Sequence, residues 1–150
     1  MSLIVDVKLW EQNVGSLIWN EKQDIAAFQY EPKFLRSKLD ISPLMMPLKK
    51  SSEDRVYQFL NTKNPCFGGL PGLIADSLPD KFGTQIINEW FSSHGLTNEQ
   101  ITPLDRLCYV GKRGMGALEF EPSHQFKELE ESSILHIEEL TKLADSIFNN

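Results

Sequence analysis

Cysteine is scarce in this sequence, and its placement argues against several kinds of site. Only two cysteines occur among 150 residues, Cys66 and Cys108, and they lack the CxxC spacing that structural metals and redox exchange favour. Each stands among apolar neighbours, and nothing else in the sequence indicates an oxidising compartment. We therefore expect two buried free thiols and no disulfide.

Long apolar runs are also missing. No stretch approaches the ~20 apolar residues that a membrane-spanning helix needs. The N-terminus lacks the basic and then apolar layout of a signal peptide. These two absences predict a cytoplasmic protein with no membrane partner.

A surplus of basic residues is absent as well. Lysine and arginine number 15 against 21 aspartates and glutamates, which gives a net charge of −6. Nucleic-acid binders normally carry a basic stripe that displaces counterions from phosphates, so we expect no direct nucleic-acid partner. The acidity lies at the end, because residues 117–150 hold eight acidic residues against Lys127 and Lys142. Scattered solvated side chains are favoured over a small positive patch for Lys33, Arg36, Lys38, Lys49, Lys50 and Arg55.

What the sequence does contain is the composition of one ordinary globular domain. Its length suits a single domain with one real core, and its hydrophobic share of 41% and charged share of 24% are typical of soluble folds. We predict an α+β fold in which a small antiparallel β-meander is followed by helices. The single domain 1–150 would have a β-rich part at about 4–63 and a mainly helical part at about 73–150, with the glycine-rich run 68–72 as the internal boundary.

The β-rich part shows the period-two alternation of half-buried strands. Asn13 to Gly15 supplies turn chemistry between the first two strands, and three strands are predicted at Val5–Leu9, Ser16–Trp19 and Asp24–Tyr30. Prolines punctuate the next stretch, so we expect at most a short helical turn in Pro32–Leu39 and an extended sheet edge in Ile41–Leu48.

The helical part carries clear start and stop signals. Pro79 and Asp80 suit a helix start and Gly95 its end. Phe82, Ile86 and Trp90, with Ile87 and Phe91 beside them, repeat at four-residue spacing on one face of that helix. We expect this face to meet the core, so that Phe82→Ala or Trp90→Ala costs roughly 3 to 5 kcal/mol.

A second, shorter helix is predicted to begin at Thr102, which offers a capping hydroxyl followed by proline and then a carboxylate three residues after the cap. Leu104, Leu107 and Cys108 would form its apolar face, and Gly111 would end it. A strand over Ala117–Pro122 and an amphipathic last helix from about His136 complete the prediction.

The segment YVGKRGMGALEFEP, residues 109–122, raises the question of a phosphate cradle. A P-loop needs a lysine and then a hydroxyl after its last glycine, whereas Lys112 follows the first glycine here. A dinucleotide loop lies between a strand and a helix, and here the predicted order is reversed. Gly111, Gly114 and Gly116 therefore favour a turn, with a basic contact through Lys112 and Arg113 as the alternative.

Other reactive side chains form no recognisable constellation. The histidines, His94, His124 and His136, have no partner at metal-ligand spacing. Asp80 and Asp105 are explained as helix-start residues, so catalysis with Asp76 is disfavoured, and Ser77 lacks the elbow motif of a nucleophile. Met45 and Met46, together with Trp10, Trp19 and Trp90, are most simply core residues.

Several segments together resemble the N-terminal part of HipA-family proteins, the toxin kinases of bacterial toxin-antitoxin systems. VGSLIW, FQYEPKFL, ISPLMMPL, GLPGLIADSLPDKFG and PLDRLCYVGKRGMGALEFEP follow one another in the family's order from about Val5 to Pro122. The sequence departs from the more usual family pattern at one helix start, which reads Ser77-Leu78-Pro79-Asp80-Lys81. The resemblance implies a β-rich N-terminal subdomain that precedes a serine/threonine kinase core.

This resemblance carries no catalytic, cofactor-binding or metal-binding residue onto the chain. The family's phosphate loop and its catalytic and magnesium-binding aspartates lie in the kinase core, so ATP and Mg²⁺ are expected only there. The chain would be a non-catalytic domain that caps the kinase core and contributes to antitoxin or self contacts. The alternative is a free-standing small subunit that regulates a separately encoded kinase.

Overall fold

The structure is a computed structural model, and it describes residues 3–123. Five strands form one antiparallel sheet in the order β4-β3-β2-β1-β5, which confirms the α+β class. The strands are β1 (Ile4–Leu9), β2 (Gln12–Asn20), β3 (Ile25–Tyr30), β4 (Val56–Tyr57) and β5 (Leu118–Pro122). The α-helices are α1 (Pro32–Leu35), α2 (Gly72–Ala75), α3 (Lys81–Ser93) and α4 (Pro103–Val110), and short 3-10 helices span Leu48–Lys50, Leu60–Lys63 and Asn98–Gln100.

The turn between β1 and β2 is not where the sequence placed it. Trp10 and Glu11 form it, with φ angles of 48° and 65°, so Trp10 is 74% exposed and is no core anchor. Asn13 to Gly15 instead lie within β2. Gly15 serves close packing there, because a Cβ at this position would lie 2.2 Å from the Gln29 carbonyl oxygen and 2.8 Å from the Phe28 ring.

The main core lies between one face of the sheet and the elements that follow it. Val5, Val7 and Leu9 alternate inward along β1, as the sequence predicted. Their partners across the strands are Leu17 on β2 and Phe120 and Leu118 on β5. The remaining large buried side chains include Phe28, Tyr30, Phe34, Leu70, Ile74, Leu104 and Leu107. α4 therefore packs against the sheet and brings the chain to β5.

The stretch Ile41–Leu48 is not the predicted extended edge. The Met46 amide donates to the Ser42 carbonyl at 2.9 Å, which closes a tight turn, and the Tyr30 hydroxyl donates to the Met46 carbonyl at 2.9 Å. Prolines remove the amides that an edge strand would pair, and the two-residue strand β4 occupies the edge instead. The short helical turn expected after Pro32 is confirmed as α1.

The glycine-rich run 68–72 is a packed connection against the sheet. The Ala26 amide donates to the Gly69 carbonyl at 2.8 Å, and the Gly69 amide donates to Thr62 at 2.7 Å. Leu70 is fully buried in the main core. Cys66, just before this run, is exposed rather than buried, because its turn faces solvent under the Asn64 side chain, which accepts from the Cys66 amide at 3.0 Å.

Both predicted helices begin and end at the expected residues. The Asp80 side chain accepts from the Gly83 amide at 2.7 Å, and Gly95 follows α3 with a φ of 79°. For α4, Thr102 and Asp105 form a reciprocal capping box, and Gly111 ends the helix with a φ of 55°. Local signals thus place helix ends accurately. The last helix predicted from His136 lies outside the described residues.

The core-facing side of α3 agrees with the prediction only in part. Ile87 and Phe91 are buried, and with Ile101 and Tyr109 they form a second, smaller cluster. Trp90 is only partly buried against that cluster, and Phe82 is 70% exposed. The helix carries two apolar stripes, and the stripe with Phe82 lies away from the described core.

Candidate interaction site

The loop at residues 111–116 is a turn that feeds β5. The Arg113 amide donates to the Val110 carbonyl at 2.9 Å, and the Phe120 amide donates to the Gly111 carbonyl at 3.3 Å. The loop follows the C-terminal end of α4, where the helix dipole is negative, whereas phosphate cradles use helix N-termini. The geometry therefore agrees with the predicted turn and disfavours the alternative of a basic phosphate contact.

Lys112 faces carboxylates on the outer side of the sheet. Its Nζ lies 3.9 Å from Glu119 Oε2 and 3.7 Å from Glu121 Oε1, and Lys8 Nζ lies 2.6 Å from Glu121 Oε2. Glu119 Oε2 is buried without a hydrogen bond, since 3.9 Å is too long for one. Lys112 therefore offsets charge on β5.

An apolar groove lies between α3 and α4, with a volume of about 150 Å³. Its walls come from both helices and their flanks: Pro79, Gly83, Ile86 and Ile87 on the α3 side, and Tyr109 and Val110 on the α4 side. Arg113 completes the lining as its charged member. We call this feature the α3–α4 groove. Its position beside the exposed Phe82 makes it a candidate docking surface.

A second apolar feature is the tip formed by Leu44 and Met45, which we call the Leu44–Met45 tip. Leu44 is 90% exposed and Met45 is 56% exposed. The prediction that Met45 is a core residue is therefore wrong. Met46, the next residue, is buried and anchors the tip to Tyr30. Asp40 Oδ2 accepts from the Leu48 amide at 3.3 Å, which holds the far side of the loop. The backbone is thus fixed while two large apolar side chains point outward.

The carboxylates considered for catalysis, Asp76, Asp80 and Asp105, all lie at helix ends. Asp80 caps α3, and the Asp105 carboxylate accepts from the Thr102 amide and hydroxyl, both at 2.7 Å. Burial raises the pKa of Asp105, and hydrogen bonds from Thr102 and the charge of Arg106 offset part of that effect. Asp76 is exposed at the end of α2. The three aspartates therefore belong to three separate helix ends.

The histidine and thiol positions likewise have local explanations. His94 lies at the end of α3, stacks on Trp90 with ring centroids 3.9 Å apart, and contacts the Trp90 carbonyl through Nδ1 at 2.9 Å. Cys108 is buried, which raises the pKa of its thiol. Within residues 3–123, no group of three or more histidine, cysteine, aspartate or glutamate side chains could hold a metal ion. His124 and His136 lie outside the described residues.

Two features of the surface escaped the sequence analysis. The α3–α4 groove depends on which stripe of α3 is buried, and the sequence offered no signal for that choice. The Leu44–Met45 tip had one available signal, because Pro43 and Pro47 flank the apolar run and disfavour a strand there. No helix within the described part of the chain has the length and apolar character to cross a membrane.

Comparison with known proteins agrees with this architecture. A search of curated proteins gives no match. The family model described as the HipA N-terminal domain matches residues 5–121. That range runs from the second residue of β1 to the last but one residue of β5, and it includes β2, β3 and β4 in full. The chain therefore belongs to the HipA N-terminal domain family.

Proposed function

We propose that this chain works as the non-catalytic N-terminal domain of a HipA-like toxin serine/threonine kinase. It caps the kinase core and contributes to contacts with the antitoxin or with a second copy. The observation that carries the proposal is the family match over residues 5–121. ATP and Mg²⁺ would bind the kinase core, and the complex would act in the cytoplasm.

The chemistry of the described residues supports a binding role. Phosphoryl transfer needs metal-binding carboxylates and cationic groups arranged around a γ-phosphate. Here Asp80 and Asp105 cap helices, and Lys112 faces glutamates on β5. The loop that carries Lys112 lies at the C-terminal end of α4, which is unsuited to an anion.

The Leu44–Met45 tip is the surface through which we propose that the domain contacts the kinase core. Because the backbone is already fixed, binding has to order only the two side chains, and it buries their apolar area. They stand in the segment ISPLMMPL, one of the segments on which the family resemblance rests.

A free-standing regulatory subunit remains the second candidate, and one observation favours it. The main core closes within residues 3–123, because β1 is paired on both sides and α4 covers the sheet. A domain with its own closed core can fold without a covalently attached kinase. The gene sequence beyond Asn150 separates the candidates: a kinase core in the same reading frame supports the first, and one in a neighbouring frame supports the second.

Binding to the kinase core tests the proposal directly. The 150-residue chain would be titrated by calorimetry with the separately produced HipA-like kinase core encoded beside it. We expect a complex, and we expect Leu44→Asp to weaken it at least about tenfold by placing a charge in a buried contact. Leu60→Asp is the matched control, since Leu60 is 64% exposed and lies near the Ala26 end of β3 rather than the Tyr30 end. Absence of binding contradicts the proposal, and equal losses in both variants contradict the assigned surface.

A further inference from the structure

One face of α3 is apolar and uncovered within residues 3–123. Phe82 and Ile86 stand one turn apart, 70% and 38% exposed, and their stripe borders the α3–α4 groove. The other stripe, with Ile87 and Phe91, already packs on Tyr109. A helix with apolar residues on both sides is normally covered on both, so a second layer should lie over Phe82 and Ile86.

The charges around this face favour an acidic occupant. Arg113 lines the groove and Lys81 precedes Phe82, whereas Lys112 faces Glu119 and Glu121 on β5. Asp80 is engaged as the cap of α3. Glu89 also lies on this side of α3 and is exposed, so the charge there is not exclusively positive.

A segment of this same chain has the matching character. Residues 136–148 carry apolar side chains at helical spacing, and residues 124–150 hold six acidic residues against two lysines. The spacing predicts a helix of 13 residues, the same length as α3. The segment therefore offers an apolar stripe and negative charge together.

The segment can also reach the groove. The described chain ends at Ser123, whose amide donates to the Ile4 carbonyl at the far end of β5. The five residues of β5 span about 17 Å back to the loop beside the groove. Residues 124–135 can extend for about 40 Å, which exceeds that separation.

We propose that residues 136–148 dock in the α3–α4 groove of their own chain, with the apolar stripe against Phe82 and Ile86 and carboxylates toward Arg113 and Lys81. This intrachain contact is independent of the proposed role in kinase binding, which uses the Leu44–Met45 tip. Loss of kinase binding would leave the α3 contact untouched, and the reverse also holds.

Amide hydrogen exchange in the full 150-residue chain tests the docking. Leu140→Asp places a charge in the apolar stripe, and we expect the α3 amides to exchange at least about tenfold faster because the helix loses its cover. Ser146→Asp adds the same charge on the opposite face of the predicted helix and should leave α3 exchange as in the wild type. Unchanged α3 exchange in Leu140→Asp overturns the proposal.

Cross-linking gives a second readout that does not depend on a destabilising variant. In a Cys66→Ser background, Ile86→Cys with Leu140→Cys should form an intrachain disulfide under mild oxidation at a yield several-fold above Ile86→Cys with Ser146→Cys. Equal yields overturn the proposal. A disulfide that links two chains, together with a dimer in sedimentation, also overturns it and identifies a second copy as the occupant.

Discussion

The two apolar clusters of this domain differ in how completely they are enclosed. The main core lies under a five-stranded sheet, and Val5, Leu17 and Phe34 in it have no exposed surface. The second cluster has four buried residues beneath one side of α3, whose other side carries the exposed Phe82. Within residues 3–123 the core under the sheet is thus enclosed, whereas α3 keeps one apolar side exposed. The degree of enclosure, more than the apolar content, distinguishes the surfaces that build the fold from those that we propose as docking surfaces.

The largest loss of unfolding free energy should come from removing a large side chain from the main core. Phe28 is 1% exposed, packs edge to face on Tyr30 with centroids 4.9 Å apart, and closes over Gly15. We expect Phe28→Ala to lower the free energy of unfolding by about 3 to 5 kcal/mol, because the space cannot collapse. Urea unfolding measures the loss. A loss below about 1 kcal/mol would mean that the sheet core is not closed as described.

A smaller and more local loss is expected in the second cluster. Ile87→Ala should cost about 2 kcal/mol, at the low end for a buried isoleucine because the site is peripheral. Amides of α3 should then exchange faster while those of β1 and β2 keep their wild-type rates, since α3 would open by itself. Equal acceleration in the sheet and the helix would show that the two clusters unfold as one unit.

Loss of the α4 cap should have an intermediate effect. The Thr102 side chain accepts from the Asp105 amide at 3.3 Å and donates to the Asp105 carboxylate at 2.7 Å. Thr102→Ala should cost about 1 kcal/mol, measured by urea unfolding. Thr97→Ala is the matched control, because the Thr97 hydroxyl donates to the Gln100 side chain at 3.3 Å at the start of an exposed 3-10 helix. A larger loss at Thr97 would contradict the expectation that the cap of the packed helix α4 stabilises the domain more than the start of an exposed 3-10 helix does.

The same cap predicts a pH dependence. Burial raises the pKa of Asp105, so its ionised form is less favourable in the folded chain than in the unfolded one. That penalty is absent below the ordinary aspartate pKa of about 3.9 and fully present above the raised folded value. Stability of the wild type relative to Asp105→Asn should therefore fall as pH rises through this interval. Urea midpoints of both proteins at pH 3.5 and 7 measure the change, and a relative gain with rising pH would contradict it.

The smallest effect is expected at the Leu44–Met45 tip. Leu44 is 90% exposed, so Leu44→Ala should change the free energy of unfolding by no more than about 0.5 kcal/mol. Urea unfolding checks this value. A loss of 2 kcal/mol or more would indicate that the tip belongs to a core and is not a free surface.

The parts of this fold that follow from local chemistry could be predicted from the sequence. The caps at Asp80 and Thr102 and the stop at Gly111 depend on hydrogen bonds within four residues, and all three are confirmed. The alternation of apolar and polar residues along β1 and β5 was also enough to predict those two strands. Such features need no knowledge of distant neighbours.

The parts that depend on distant neighbours were predicted wrongly. Phe82 and Phe91 both lie on apolar stripes of α3, and the stripe with Phe91 is the buried one because Ile101 and Tyr109 pack against it. Phe82 is exposed, so Phe82→Ala would open no cavity within residues 3–123. The predicted loss of unfolding free energy therefore has no support in this part of the chain. Likewise, Asn13 and Gly15 are typical turn residues in the sequence. In the structure both lie in β2, where Phe28 packs over Gly15. The exposed groove was missed for the same reason, whereas the Leu44–Met45 tip had a local signal in Pro43 and Pro47.

The position of β1 between β2 and β5 has a consequence for synthesis of the chain. Lys8 meets Glu121 across 113 positions of sequence, so the first hairpin has an open edge until the last strand has left the ribosome. At typical elongation rates this interval is on the order of ten seconds. During that time the unpaired side of β1 is open to other chains, and a nascent-chain chaperone that shields it would act before the sheet can close.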